Sequence, residues 1–230
     1  MRLVGATYRL TLSLTREGAG AGRGSHLDGE ITIDATAGRS LPPAVIHGAR
    51  GWLSGYVVPI LSGPVHGSLR AGADTIALDG AIGYHDHNWG YWEGVRWQWG
   101  QVAQGDVSIV FGRVFPPAGV ADPDHVPGFA GVLGPTGPIG FSTDVSVEET
   151  GTDAAPTAMT IRARGPRTDL QLTLTVEESV ATRMALTQAA SGAMMTFLQL
   201  GGTYRVDGHA ADRTFAFTAR GSAETFRATR

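Results

Sequence analysis

Alternation of polar and apolar residues with a period of two runs through most of this 230-residue chain. The segments that alternate or carry runs of β-branched residues are 8–14, 30–34, 75–82, 96–102, 107–115, 158–164, 169–176, 197–206 and 213–218. Turn signals separate them, in a chain with 33 Gly and 12 Pro. Because successive side chains of a strand point to opposite faces, this period indicates many short antiparallel strands. The sequence therefore predicts an all-β protein, built as a barrel or a sandwich.

Three segments interrupt this pattern. Residues 182–192 are rich in Ala and Met and are the best helix candidate, although a strand followed by a loop fits them equally well. Residues 120–127 form a polar loop, and residues 148–156 have the composition of a linker. We divide the chain after residue 118, into a first domain over 1–118 and a second β-rich domain over 119–230.

Composition excludes several kinds of chemistry. The chain has no Cys, so it has no thiol catalysis, disulfides or thiolate metal sites. All 18 basic residues are Arg, which excludes a Schiff-base lysine and the lysine of a phosphate loop. The net charge is −3 and the charges are scattered, so no basic stripe is present to bind nucleic acid. The start of the chain lacks the apolar core of a signal peptide, and no apolar run is long enough to span a bilayer.

One segment, residues 83–101, concentrates the rare residue types of the chain. It reads GYHDHNWGYWEGVRWQWGQ and holds two of the seven His, the only Asn and four of the five Trp. If residues 84–89 are extended, His85, His87 and Trp89 share one face and Tyr84, Asp86 and Asn88 the other. Trp97, Trp99 and Gln101 then share a face of the next strand. Large aromatic rings beside a few polar groups are typical of a small-molecule site.

Three interpretations of His85, Asp86 and His87 stay open. In the first, the two imidazoles and the carboxylate bind a metal, although no third ligand is spaced to complete the set. In the second, the polar groups form a satisfied network that orders a turn. In the third, which the segment fits best, they perform acid–base chemistry or stabilise a cation on an apolar substrate.

The block Gly-Tyr-His-Asp-His-Asn-Trp-Gly, followed by Trp-x-Trp-Gly-Gln and by Gly-Asp106, resembles the carotenoid 1,2-hydratase (hydroxyneurosporene synthase) and AttH-like superfamily. The wider relatives of that superfamily include kievitone hydratase, tocopherol cyclase and lipocalin-like Diels–Alderases. The resemblance covers residues 45–115. It implies two lipocalin-like β-barrel domains, no cofactor, and chemistry on prenyl chains or polyenes. It also implies that His87, Trp89 and Asp106 are the residues tied to activity. Only 84 residues precede His85, fewer than in that superfamily, so we expect the first barrel to be incomplete.

We therefore expect a cofactor-independent hydratase or cyclase that protonates a carbon–carbon double bond of an isoprenoid or polyene. In an apolar pocket, Asp106 would be the acid, because desolvation raises the pKa of a carboxyl group. Indole faces would stabilise the cation by roughly 0.5–2 kcal/mol each, and His87 or His85 would position water and accept its proton. The residues that we expect to contact substrate are Trp97, Trp99, Tyr84, Asp86, Trp92 and Tyr56, beside the catalytic set His87, Asp106, His85 and Trp89. We expect no metal.

The alternative is a carrier that binds a prenyl or polyene ligand without catalysing its conversion. The expected partner in both cases is a small hydrophobic molecule. Because an incomplete barrel leaves strand edges open, we also expect the chain to pair with itself or with another barrel polypeptide. We expect a cytoplasmic location, with peripheral association with membranes left open.

Overall fold

The computed structural model describes residues 1–15, 26–36, 38–91, 94–121, 126, 128–185 and 194–228. Within them the structure has no α-helix; a single 3-10 turn spans Ala49–Gly51. The sixteen strands of the described residues are β1 Arg2–Val4, β2 Thr7–Thr15, β3 His26–Asp34, β4 Leu41–His47, β5 Leu53–Ala71, β6 Asp74–Ala77, β7 Ile82–Gly90, β8 Arg96–Gln104, β9 Val107–Phe115, β10 Phe129–Gly134, β11 Gly137–Ser142, β12 Asp144–Thr152, β13 Ala155–Gly165, β14 Thr168–Ala185, β15 Met194–Ala210 and β16 Arg213–Ala228. The prediction of an all-β chain is confirmed.

The strands form two sheets. The first has seven strands in the order β1-β2-β3-β5-β4, with β6 and β7 both paired to β5. The second has nine strands in the order β11-β10-β9-β8-β16-β15-β14-β13-β12. The strand pairs whose registers are resolved are antiparallel, as hairpins connected by short turns require. No helix within the described residues is both long and apolar enough to cross a membrane.

Contacts divide the chain into two compact units. The first contains Met1–Pro42 and Val58–His87, and the second contains Pro43–Val57 and Asn88–Arg230. Both β5 and β7 run from one unit into the other. The division after residue 118 stays a prediction, because these units are not two consecutive segments of sequence. The linker-like residues 148–156 form the end of β12, the turn and the start of β13.

The nine-stranded sheet curls on itself and encloses the main core of the second unit. The hydroxyl of Ser142 in β11 donates to the carbonyl of Arg164 in β13, so strands far apart in the sheet order approach each other. Alternate residues of the strands point inward and pack together, among them Val102, Ile109, Phe111, Ile161, Leu172 and Tyr204. This packed interior explains the period-two pattern of the sequence.

The residues 182–185 of the helix candidate belong to β14, where Thr182 pairs with Phe197 and Met184 with Met195. Cross-strand pairing over the length of β15 overrides their local helix propensity. The rest of that candidate, residues 186–192, lies outside the described residues.

Candidate functional site

The His-Asp-His block forms most of β7, and its first half behaves as alternation predicts. The hydroxyl of Tyr84 donates to the Asp86 carboxylate at 3.0 Å, so these two side chains share a face. His85 lies against the ring of Tyr8, with the ring centroids 4.7 Å apart. The pKa of His85 is lowered, mainly because partial burial disfavours the imidazolium; Asp86 opposes this shift and His87 adds to it. The neutral ring is therefore the favoured form of His85, which suits a base.

The other residues of the block differ in exposure. His87 and Asn88 are exposed, whereas Trp89 is half-buried. The boundary between the two units falls between His87 and Asn88. Trp92 lies outside the described residues, so its expected role stays a prediction. The catalytic roles of His85 and His87 also stay predictions.

The metal interpretation finds no complete ligand set. Across the described ranges, no three His, Asp or Glu side chains come together in a way that could hold a metal ion. The Tyr84–Asp86 hydrogen bond instead engages the carboxylate that this interpretation needed as a ligand.

Asp106 lies in surroundings unlike those we expected. It sits in the β8–β9 turn, and its carboxylate forms two hydrogen bonds of 2.9 Å with the guanidinium of Arg213. Its side chain is 52% exposed. Gln104 is the last residue of β8, directly before the turn that holds Asp106. Trp97 lies seven residues before Gln104 on the same strand, a separation of roughly 23 Å along an extended chain. The expectation that Asp106 and Trp97 line one apolar pocket is therefore wrong.

Trp97 and Trp99 share the outer face of the nine-stranded sheet. Trp97 pairs with Val114 and Trp99 with Gly112 on β9, whereas the neighbouring Gly100 pairs with the inward-pointing Phe111. Trp97 stacks on Phe226 with the ring centroids 4.1 Å apart, and its N–H donates to Glu224.

Three aromatic side chains of the second unit form what we call the aromatic site: Tyr56, Trp99 and Phe129. The ring of Tyr56 meets Trp99 edge-on at 5.1 Å and stacks on Phe129 at 5.3 Å. The indole of Trp89 lies against Gly55, where a Cβ atom would come within 2.5 Å of the ring. Because Gly55 and Tyr56 are successive residues of β5, Trp89 lies on the face of the strand opposite to the Tyr56 side chain. Tyr56 and Trp99 are among the residues expected from sequence to contact substrate, and Phe129 was missed because a lone Phe in a β-run carries no distinguishing signal.

The aromatic site holds two polar groups suited to donating hydrogen bonds. Trp99 is only 7% exposed, and its buried N–H has no hydrogen-bond partner within the described part of the chain. Burial also raises the pKa of Tyr56, so its hydroxyl keeps its proton. A buried donor without an acceptor is costly, and a ligand oxygen would remove that cost.

A cluster of three polar side chains, which was not predicted from the sequence, lies on the inner face of the nine-stranded sheet. We call it the polar floor: Gln98, Glu149 and Arg227. The amide of Gln98 donates to Glu149 at 2.6 Å, and the Arg227 guanidinium donates to the other oxygen of the same carboxylate. The side chains of Glu149 and Arg227 are 15% and 20% exposed. Their separation of 78 residues left no local signal from which the pair could have been found.

The polar floor borders a cavity of about 860 Å³ at one end of the same sheet, which we call the barrel-end cavity. Its lining comes from the start of β8 and β15, the ends of β9, β14 and β16, and the β12–β13 turn. Antiparallel order brings these termini to the same end of the sheet. Trp97, which was expected to contact substrate, borders this cavity although its ring lies on the outer face of the sheet against Phe226. The Asp106–Arg213 pair lies at the opposite end.

The all-β architecture, with a curled antiparallel sheet packed on its inner face, is a lipocalin-like fold. Comparison with solved structures supports this class. The crystal structure of CghA has a TM-score of 0.62 and 12% sequence identity, over 96% of this chain and 64% of CghA. The crystal structure of CghA with Sch210972 has a TM-score of 0.56 and 13% identity, over 90% of this chain and 62% of that one.

These comparisons establish the fold and no more, since the identities are low. The chain spans less than two thirds of the length of CghA. No family model and no curated protein matches the sequence.

Proposed function

We propose that this protein is a cofactor-independent cyclase that acts on a hydrophobic polyene or isoprenoid. The proposal is supported by the lipocalin-like fold shared with CghA, a protein crystallised with Sch210972. It is also supported by the resemblance of residues 83–90 to a superfamily whose wider relatives include cyclases and Diels–Alderases.

The observation that carries the proposal is the aromatic site with its two donors. Its rings offer flat apolar surfaces for a conjugated chain. In this proposal the N–H of Trp99 and the hydroxyl of Tyr56 donate hydrogen bonds to a substrate carbonyl, which draws electrons from a conjugated alkene and makes it more reactive. A folded substrate could then close a ring: new carbon–carbon σ bonds form from π bonds, and no proton, electron or leaving group is exchanged.

This geometry favours cyclisation over hydration. Adding water to an isolated alkene needs a strong acid, and the raised pKa of Tyr56 makes its hydroxyl a poor one. Asp106, the acid expected from the sequence, is half-exposed and paired with Arg213, so it lacks the apolar surroundings that this role requires.

The test is incubation of the purified chain, without added cofactor, with acyclic polyenes that carry a conjugated carbonyl, in water and in deuterium oxide. A cyclised isomer of unchanged mass supports the proposal. A product heavier by one water, with deuterium on carbon, would show hydration in its place. Saturable binding without any product would show that the carrier alternative is correct.

The matched variants are Trp99→Phe and Trp52→Phe. Both indoles are buried with an unpartnered N–H among the described residues, but Trp52 packs in a separate cluster with Val95 and Val114. A hydrogen bond worth about 1.4 kcal/mol corresponds to a tenfold change in rate. We expect Trp99→Phe to lower kcat roughly tenfold and Trp52→Phe to leave it unchanged. Equal effects of the two variants would contradict a role for the Trp99 N–H.

A further inference from the structure

The barrel-end cavity carries an inference that is independent of the proposed cyclase. Its size lies within the range of small-molecule sites in proteins. Part of its wall is apolar and includes Phe115, Ala181 and Leu198. Leu198 is 1% exposed and continues into the packed core of the sheet. A ligand that fills this cavity therefore needs an apolar body.

The arginines that line the cavity differ in whether a carboxylate neutralises them. Arg227 is neutralised within the polar floor by Glu149 and also donates to Asp153 at 3.4 Å. Arg96 and Arg183 line the same cavity, and neither has a carboxylate within 4.0 Å in the described part of the chain. The guanidinium of Arg96 lies over the ring of Phe115, 5.1 Å from its centroid. Two guanidinium groups are thus available beside an apolar wall.

We propose that the barrel-end cavity binds a hydrophobic monocarboxylate, such as a long-chain or polyene acid. Arg96 and Arg183 bind the carboxylate, and the chain lies along Phe115 and Leu198. Guanidinium groups bind carboxylates with paired, charge-assisted hydrogen bonds. The acidic side chains of Glu149 and Asp153 in the same lining disfavour a dianion such as phosphate, because like charges at close range repel.

The register of the strands supports this arrangement. Arg183 pairs with Thr196 across β14 and β15, and Ala181 pairs with Leu198. On β8, Arg96 and Gln98 lie two residues apart and therefore share a face. On β14 and β15 alternation thus places the polar pair Arg183–Thr196 at the cavity rim and the apolar pair Ala181–Leu198 one inward-facing pair deeper. This is the order in which an acid headgroup and its chain would enter.

The experiment is a fluorescence titration of the full chain with cis-parinaric acid, a conjugated polyene acid, and with its methyl ester. We expect saturable binding of the acid and at least tenfold weaker binding of the ester. Arg183→Gln and Arg96→Gln should each weaken binding of the acid about tenfold and leave binding of the ester unchanged. The matched control is Arg162→Gln, which removes an exposed arginine paired with Glu148 elsewhere on the sheet.

Equal affinity for acid and ester, unchanged affinity in both arginine variants, or no saturable binding of the acid would each overturn the proposal. Circular dichroism of the variants shows whether the sheet is intact. A further variant, Ala181→Trp, fills the cavity from a neighbouring strand and should abolish binding of both probes. No turnover is measured, so failure here leaves the proposed cyclase untouched.

Discussion

Replacing Gly100 by Ala tests the packing of the nine-stranded sheet directly. A Cβ atom at Gly100 would lie 2.4 Å from the Cζ atom of Phe111 and 2.7 Å from the hydroxyl oxygen of Tyr204. Both partners are fully buried, so neither ring can move aside without disturbing the core. Overpacking of this kind costs about 1–3 kcal/mol. The lower chain entropy of Ala in the unfolded state returns about 0.4–1 kcal/mol. We expect a net destabilisation of roughly 1–2 kcal/mol.

The matched control is Gly201→Ala, in β15 of the same sheet, which β16 separates from β8. There the nearest atom to an added Cβ is the Cβ of Glu178 at 3.7 Å, an ordinary contact. This variant should be neutral or slightly stabilising. Urea unfolding followed by circular dichroism gives both free energies of unfolding.

A double-mutant cycle with Phe111→Leu identifies the clash. Leucine lacks the distal ring atoms that meet the added Cβ, so the double variant should be more stable than the sum of the single effects, by at least about 0.5 kcal/mol. Equal effects of alanine at positions 100 and 201, together with additivity in the cycle, would refute the placement of Phe111 over Gly100.

Three further predictions concern single polar groups. The native chain keeps the pKa of His85 below its ordinary value, so the unfolded chain binds a proton first as pH falls through about 6.5. The free energy of unfolding should therefore decrease between about pH 7.5 and 5.5. Urea unfolding of His85→Gln over the same range should show a weaker decrease. Tyr204→Phe removes the hydrogen bond that the hydroxyl donates to the Ser222 carbonyl at 3.1 Å and should cost about 1 kcal/mol in the same assay. Asp106→Asn breaks the exposed pair with Arg213 and should cause a small loss of stability that 1 M NaCl removes.

The strands could be predicted from sequence where alternation is unbroken. Segments 158–164 and 169–176 lie within β13 and β14. Their full lengths could not be predicted, because β14 contains a register shift between Val176 and Glu178, and the Gly201–Gly202 pair interrupts the pattern of β15. Backbone hydrogen bonds between strands continue through such positions, whereas hydrophobic periodicity does not.

Only those site residues that stand close together in the sequence could be predicted from it. The density of Trp in one segment indicated Trp89 and Trp99 as site residues, and Trp99 lies beside Tyr56 and Phe129; whether either Trp binds substrate stays a prediction. Glu149 was missed, because its acidic, Thr-rich surroundings resemble a linker and its partner Arg227 lies near the other end of the sequence. The acid role assigned to Asp106 depended on burial, which a turn between two strands does not provide. Burial arises from tertiary packing, and a sequence motif alone does not report it.

The aromatic site owes its shape partly to side chains that are absent. An added Cβ at Gly112 would come within 2.6 Å of both Trp99 and Phe129. The rings and Gly112 therefore limit which substitutions each of these positions tolerates. Enlarging the glycine first is blocked by the ring, and shrinking the ring first leaves a void. A directed-evolution library that randomises Trp99 and Gly112 together should therefore reach functional variants that stepwise randomisation of either position excludes.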